Sequence, residues 1–226
     1  MPTFNEICDN LKLVDDIKLK NRFQSPWMRF EAALAVKCVK SLSYDEAYLA
    51  WLLILKLRPK VFVEIGGQHG HSGIIFSHAM KLVGGTFISI ELGKHSSNKY
   101  PDAVCGTLEF LPNEDHVVKI WGDAELLLPE ILKKYEVEMV FHDAAHTWEH
   151  VENCLNIIKN HNPEITQSCH DCKTGLWNPD IETLYGVICA ERPVFDKHFL
   201  KNDKYYYDVL EDKWGFGFSV PKTKLI

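Results

Sequence analysis

From residue 60 onward the sequence keeps changing its hydrophobic period. Short β-branched or apolar runs occur at Lys60–Ile65, Thr86–Glu91, His116–Trp121, Val137–His142 and Glu164–Ser168. Between them lie stretches with helical spacing near 71–83, 97–109, 123–135 and 147–160. Strands that lie parallel need a crossover between them, usually a helix. The alternation therefore predicts βαβ units and a doubly wound, mostly parallel α/β sheet. After a helix candidate near 184–200, Tyr205–Leu210 and Phe216–Val220 stand close enough for a hairpin only, so the sheet should end in an antiparallel element.

Residues 1–57 read as a helical extension ahead of this alternation. Ser25-Pro26 resembles a helix start, with serine as cap and proline in the first turn, followed by Trp27–Val39. Ser43-Tyr44-Asp45-Glu46 is a capping box ahead of Ala47–Leu55, and Pro59 should close that helix. With 226 residues the chain is expected to form one structural domain. A net charge of −6 without a basic block offers no electrostatic footprint for nucleic acid. Seven scattered cysteines fit a reducing compartment better than a disulfide scaffold. The opening residues carry no signal-peptide pattern, and the longest apolar stretch, Ala47–Leu57, is too short to span a bilayer. These features predict a soluble, cytoplasmic chain that binds neither nucleic acid nor membrane. The oligomeric state stays open, a homo-oligomer among the options.

In an open α/β sheet, ligands bind beyond the carboxyl ends of the strands. The first strand ends in Glu64-Ile65-Gly66-Gly67-Gln68-His69-Gly70-His71-Ser72. A dinucleotide fingerprint starting at Gly66 fails, because Gln68 and His71 stand where its later glycines belong. A phosphate-binding P-loop fails at His71 as well. Glu91 closes the second strand, where a carboxylate can accept both ribose hydroxyls of an adenosine. Asp123 follows the third and is a natural helix cap. Asp143 and Asp171 follow the fourth and fifth strands; if these are neighbours, both carboxylates can reach one Mg²⁺ or Mn²⁺. His146, three residues beyond Asp143, is the candidate general base, whereas His142 should point away by strand alternation. Glycine turns and capping carboxylates also occur in sheets without ligands, and that plainer reading stands beside each of these.

Glu64-x-Gly66-x-x-x-Gly70 resembles motif I of class I S-adenosylmethionine-dependent methyltransferases, with Gln68 replacing a common middle glycine. Asp143-x-x-His146-x-Trp148-x-x-Val151, with the later His170-Asp171, resembles the macrocin-type small-molecule O-methyltransferases over about residues 58–220. The resemblance implies a Rossmann-like methyltransferase domain over 58–226. It implies S-adenosylmethionine held at Glu64, Gly66, Gly67, Gly70, Ser72 and Glu91, with Asp123 flanking adenine. It further implies a metal on Asp143 and Asp171, and His146 as base for methylation of a hydroxyl. Two features depart from that family: Asn162-Pro163-Glu164 replaces a Pro-Gly-Gly turn, and Cys154 stands where an acidic residue is usual.

Two other readings are carried. One is a cephalosporin-hydroxylase-like oxidoreductase, with a ferrous site on His146, His170 and Asp171 or Asp143. The other is a cofactor-binding module without catalysis. Cys169-His170-Asp171-Cys172 lacks the second pair that a structural zinc site would need. Trp148, Trp177, Tyr185 and Trp214 are candidate pocket walls, Trp177 as part of a lid in the loop Lys173–Asp180.

Overall fold

A computed structural model describes residues 2–36, 42–93, 106–173 and 189–225. The alternating runs become strands β1 (Val61–Ile65), β2 (Thr86–Glu91), β3 (Val117–Trp121), β4 (Val137–His142) and β5 (Thr166–Cys169). Helices α4 (His71–Val83), α5 (Ala124–Lys134) and α6 (Trp148–His161) connect them. The chain continues through α7 (Glu191–Phe199) into the antiparallel pair β6 (Tyr205–Leu210) and β7 (Phe216–Pro221). The sheet runs β3-β2-β1-β4-β5-β7-β6, parallel through β5 and antiparallel beyond it. This is the Rossmann-like, mostly parallel sheet with antiparallel C-terminal strands that the sequence predicts. The direction of strand addition reverses between β1 and β4, so a ligand crevice belongs at their carboxyl ends.

The two faces of the sheet follow the period-2 alternation of its strands. Phe62, Phe87, Met139 and Phe141 pack on one face against α4 and the N-terminal helices. Val63, Ile65, Ile88, Ile90 and Val140 pack on the other, under α5 and α6. The extension is α1 (Phe4–Leu11), α2 (Ile17–Val36) and α3 (Tyr44–Leu57). Residues 46–54 of α3 are all buried, so this helix is apolar on every side because it is enclosed on every side. Its start is the predicted capping box. Ser43 Oγ accepts from the Glu46 N–H, and Glu46 Oε2 accepts from the Ser43 N–H.

Two sequence expectations are corrected. Ser25-Pro26 does not begin a helix: α2 starts at Ile17, Asp16 accepts from the Leu19 N–H, and Pro26 lies inside. An interior proline costs about 3 kcal/mol. Burial of Phe23 and Phe30 on the same face, roughly 1.5–3 kcal/mol each, offsets that cost. Of the helix expected over 97–109, residues 97–105 lie outside the described residues, and 106–109 are not helical. Their backbone pairs instead with the turn after β1, as described below. No helix among the described residues is long and apolar enough to cross a membrane.

Candidate active site at the carboxyl ends of the central strands

Gly66 has φ +93°, and a Cβ built on it would lie 1.9 Å from the Asp143 carbonyl oxygen. The turn after β1 therefore touches the end of β4 through a position that only glycine can fill. The Gly66 and Gly67 N–H groups both donate to the Ile90 carbonyl, at 2.9 and 3.2 Å. Gly70, at φ +88°, caps α4 and rests against Leu111. Glu64 lies fully buried beneath this turn and accepts from Ser72 Oγ and Ser89 Oγ, both at 2.5 Å. Burial pushes its carboxyl up to about 7, against the two hydroxyl donors, which hold it down. Glu64 and Ser72 thus brace the turn from within.

Glu91 ends β2 and is 5% exposed. Its carboxylate accepts from the Gln68 N–H at 2.6 Å and the Gly106 N–H at 3.0 Å. Leu108 N–H and Phe110 N–H donate in turn to the carbonyls of Gln68 and His69. Residues 106–111 therefore lie along the glycine turn, and Glu91 clasps the two segments together. A Cβ on Gly106 would meet the Gln68 oxygen at 1.9 Å, which explains a glycine there. Asp123 is the N-cap of α5, its Oδ1 accepting from the Glu125 N–H at 2.9 Å.

β4 and β5 are hydrogen-bonded neighbours, so Asp143 and Asp171 do emerge side by side. One ligand atom each from Asp143, His146 and Asp171 lies within 4.8 Å of the others. Asp171 adopts φ +56°, unusual for a residue with a side chain. His146 Nδ1 lies 2.5 Å from Glu191 Oε1, and its Nε2 lies 3.5 Å from Asp171 Oδ2. His170 Nδ1 stands 3.6 Å from Asp143 Oδ2 and 3.9 Å from Asp171 Oδ1, while its Nε2 is 3.7 Å from Glu46 Oε2. His142 turns to Gln167 Oε1, at 3.1 Å.

Two imidazoles are thus threaded among four carboxylates. Glu46, His170, Asp171 and Glu191 form a buried floor, while the side chains of Asp143 and His146 are about a quarter exposed, at 24% and 26%. Burial and the neighbouring Asp143 push Asp171 up to about 6. Burial opposes a charge on His146, but Glu191, with Asp171 and Asp143 behind it, wins and raises it to about 9. Carboxylates crowded together out of water need positive charge beside them. Two carboxylates and an imidazole form a donor set that a divalent cation fits, Mn²⁺ or Fe²⁺ more comfortably than the strictly oxygen-loving Mg²⁺.

Three members of this cluster carry no readable role in the sequence. Glu46 is legible only as a capping residue, yet its second oxygen also accepts from the Trp214 and Gly215 N–H groups. Glu191 sits in a helix candidate with no pattern to mark it. His170 enters as part of the His170-Asp171 pair of the resemblance and as a ligand of the ferrous alternative, with no role in the methyl-transfer reading. Cys154, which breaks the family pattern, lies buried against His150. Of the expected pocket aromatics, Trp148 is 37% exposed beneath Lys197. Trp177 and Tyr185 lie outside the described residues.

A family profile described as a methyltransferase domain matches residues 63–172. A search of curated proteins finds no match. Among solved structures, a Staphylococcus aureus protein provisionally assigned as a caffeoyl-CoA O-methyltransferase superposes with a TM-score of 0.62. It has 16% identity, with 91% of this chain and 100% of that chain covered. A Bacillus cereus O-methyltransferase in complex with S-adenosylhomocysteine gives a TM-score of 0.57 at 17% identity, covering 95% of each chain. The O-methyltransferase TomG of tomaymycin synthesis from Streptomyces achromogenes, bound to S-adenosylmethionine, gives 0.55 at 18% identity, covering 92% of this chain and 91% of its own.

Proposed function

We propose that this chain is a class I S-adenosylmethionine-dependent methyltransferase that methylates a hydroxyl oxygen of a small molecule with the help of a divalent cation. The observation that carries this reading is the convergence of Asp143, His146 and Asp171 beside Gly66, at the point where the sheet order reverses. The names of the S. aureus, B. cereus and TomG structures support the choice of oxygen.

In this reading Gly66, Gly67 and Gly70 let backbone approach the cofactor, while Glu64 and Ser72 hold the turn rigid from below. Glu91 binds the ribose by exchanging its two backbone donors, Gln68 and Gly106, for two hydroxyls. Asp123 flanks the adenine. When bound, S-adenosylmethionine supplies an electrophilic methyl group, and a cation on Asp143 and Asp171 makes a nearby hydroxyl more acidic. His146, beside the cation, takes the proton of that hydroxyl, because the positive charge on Asp143 and Asp171 would oppose the raised proton affinity that the carboxylates give the ring. Glu191 on its Nδ1 side fixes the ring and stabilises the charge it gains, the role a carboxylate commonly plays behind a working histidine.

The test is methyl transfer from S-adenosylmethionine to a panel of small hydroxyl compounds, read by mass, with Mg²⁺ or Mn²⁺ and then with chelator. Product should form only with the metal, and Asp171→Asn should lower its rate by about a hundredfold or more. Transfer that survives chelation at full rate would remove the metal from the proposal. Transfer to nitrogen alone would remove the oxygen.

A further inference from the structure

Cys169 ends β5, and Cys172 follows across the turn that carries Asp171. Both are fully buried, and their sulfurs lie 2.9 Å apart, within about 1 Å of the roughly 2.05 Å of a disulfide bond. The strand beneath them is shaped to the pair. A Cβ on Gly217 would come within 3.0 Å of each sulfur, so a larger residue there would intrude on both. The backbone of the turn is also held. The His170 N–H donates to the His142 carbonyl, the Cys172 N–H to the Gly215 carbonyl, and Arg192 Nη1 to the Cys172 carbonyl. The methyl-transfer reading uses neither sulfur.

We propose that Cys169 and Cys172 are a reversible dithiol–disulfide site, oxidised by a peroxide, that governs the placement of Asp171. One cysteine thiolate attacks a peroxide oxygen and breaks the O–O bond, giving a sulfenic acid and, with a proton, one water. The second thiol attacks that sulfur; the S–S bond forms, the S–O bond breaks, and a second water leaves. Two thiols are oxidised and one hydrogen peroxide is reduced, and an external dithiol reverses the change by exchange. Because both sulfurs are buried, the reaction follows opening of the turn and is slow beside that of an exposed thiol. Closing the gap draws Cys172 toward Cys169 with Asp171 between them, moving its carboxylate relative to Asp143 and His146. That last consequence rests on the proposed metal site; the redox site itself does not.

The sequence makes the test clean, because trypsin cuts after Lys159 and Lys173 and the peptide 160–173 contains these two cysteines alone. The full-length protein is held with excess hydrogen peroxide to completion, then denatured, alkylated and digested. The expected peptide is unalkylated, about 2 Da lighter than the dithiol form, and restored by dithiothreitol. In Cys169→Ala and Cys172→Ala that loss should disappear. Recovery of the wild-type peptide with both thiols alkylated, or only irreversibly oxidised, overturns the proposal. A Mn²⁺ titration of the oxidised and reduced protein should differ by about tenfold in affinity. Equal affinities would break the link to Asp171 while leaving the mass result intact, and neither readout requires methyl transfer.

Discussion

Gly66 and Gly84 have similar left-handed backbones, φ +93° and +78°, but different surroundings. A Cβ on Gly84 meets nothing within 4 Å, whereas one on Gly66 meets the backbone of Asp143. Gly84→Ala should therefore cost only the conformational penalty, about 1–2 kcal/mol. Gly66→Ala should cost clearly more, because two backbones must part. Denaturant unfolding of the two variants checks this, and equal losses would refute the close approach. Glu64 makes a prediction in pH. Its carboxyl is raised to about 7 from an ordinary 4.5, so the folded state holds a proton that the unfolded chain has released. Its contribution to stability is complete below the unfolded value and is lost as pH rises toward 7. Glu64→Gln, which keeps a polar partner for both serines, should gain on the wild type by up to about 3 kcal/mol between roughly pH 5 and pH 8. A difference in stability that does not change with pH would contradict this. Gly66, Gly70, Asp143 and Asp171 were legible in sequence because they stand at strand ends, where position alone predicts convergence. Glu46 and Glu191 were not, because each reaches the cluster from an element distant in the chain.

At the scale of elements, period decided correctly and punctuation did not. The apolar runs of β1 to β5 alternate between two faces, and each appears within two residues of its expected ends. Ser25-Pro26 carries a local start signal that tertiary contacts of α2 override. Those contacts can be tested. Phe23 is fully buried against Trp27, Tyr44, Tyr48 and Trp51, so Phe23→Ala should destabilise by about 3–5 kcal/mol. Met28 lies in the same helix but is 65% exposed, and Met28→Ala should stay within about 0.5 kcal/mol. Similar losses in the two would mean that α2 does not present the face described. The turn at 106–111 was illegible for another reason: its partner is the glycine turn, nearly forty residues away, and no local pattern announces that pairing.

For the whole molecule, the helical extension and the sheet share one hydrophobic cluster, and we propose that they fold as one unit. α2 and α3 cover Phe62, Phe76, Phe87 and Phe141, and Glu46 from α3 ends in the acidic cluster. A chain beginning at residue 58 should therefore fail to fold into soluble monomer, as size-exclusion chromatography and circular dichroism would show. A cooperatively unfolding fragment would make the extension a separate domain. The central claim is that the carboxyl edge of β1, β2 and β4 holds S-adenosylmethionine beside a cation site. It is tested most directly by calorimetric titration of S-adenosylmethionine into the full-length protein, with and without Mn²⁺. We predict saturable binding at about micromolar Kd, weakened about tenfold or more by Glu91→Ala, and a separate Mn²⁺ site lost in Asp171→Asn. No heat from the cofactor under either condition, with the protein folded, would contradict the account and leave the glycine turn as a turn alone.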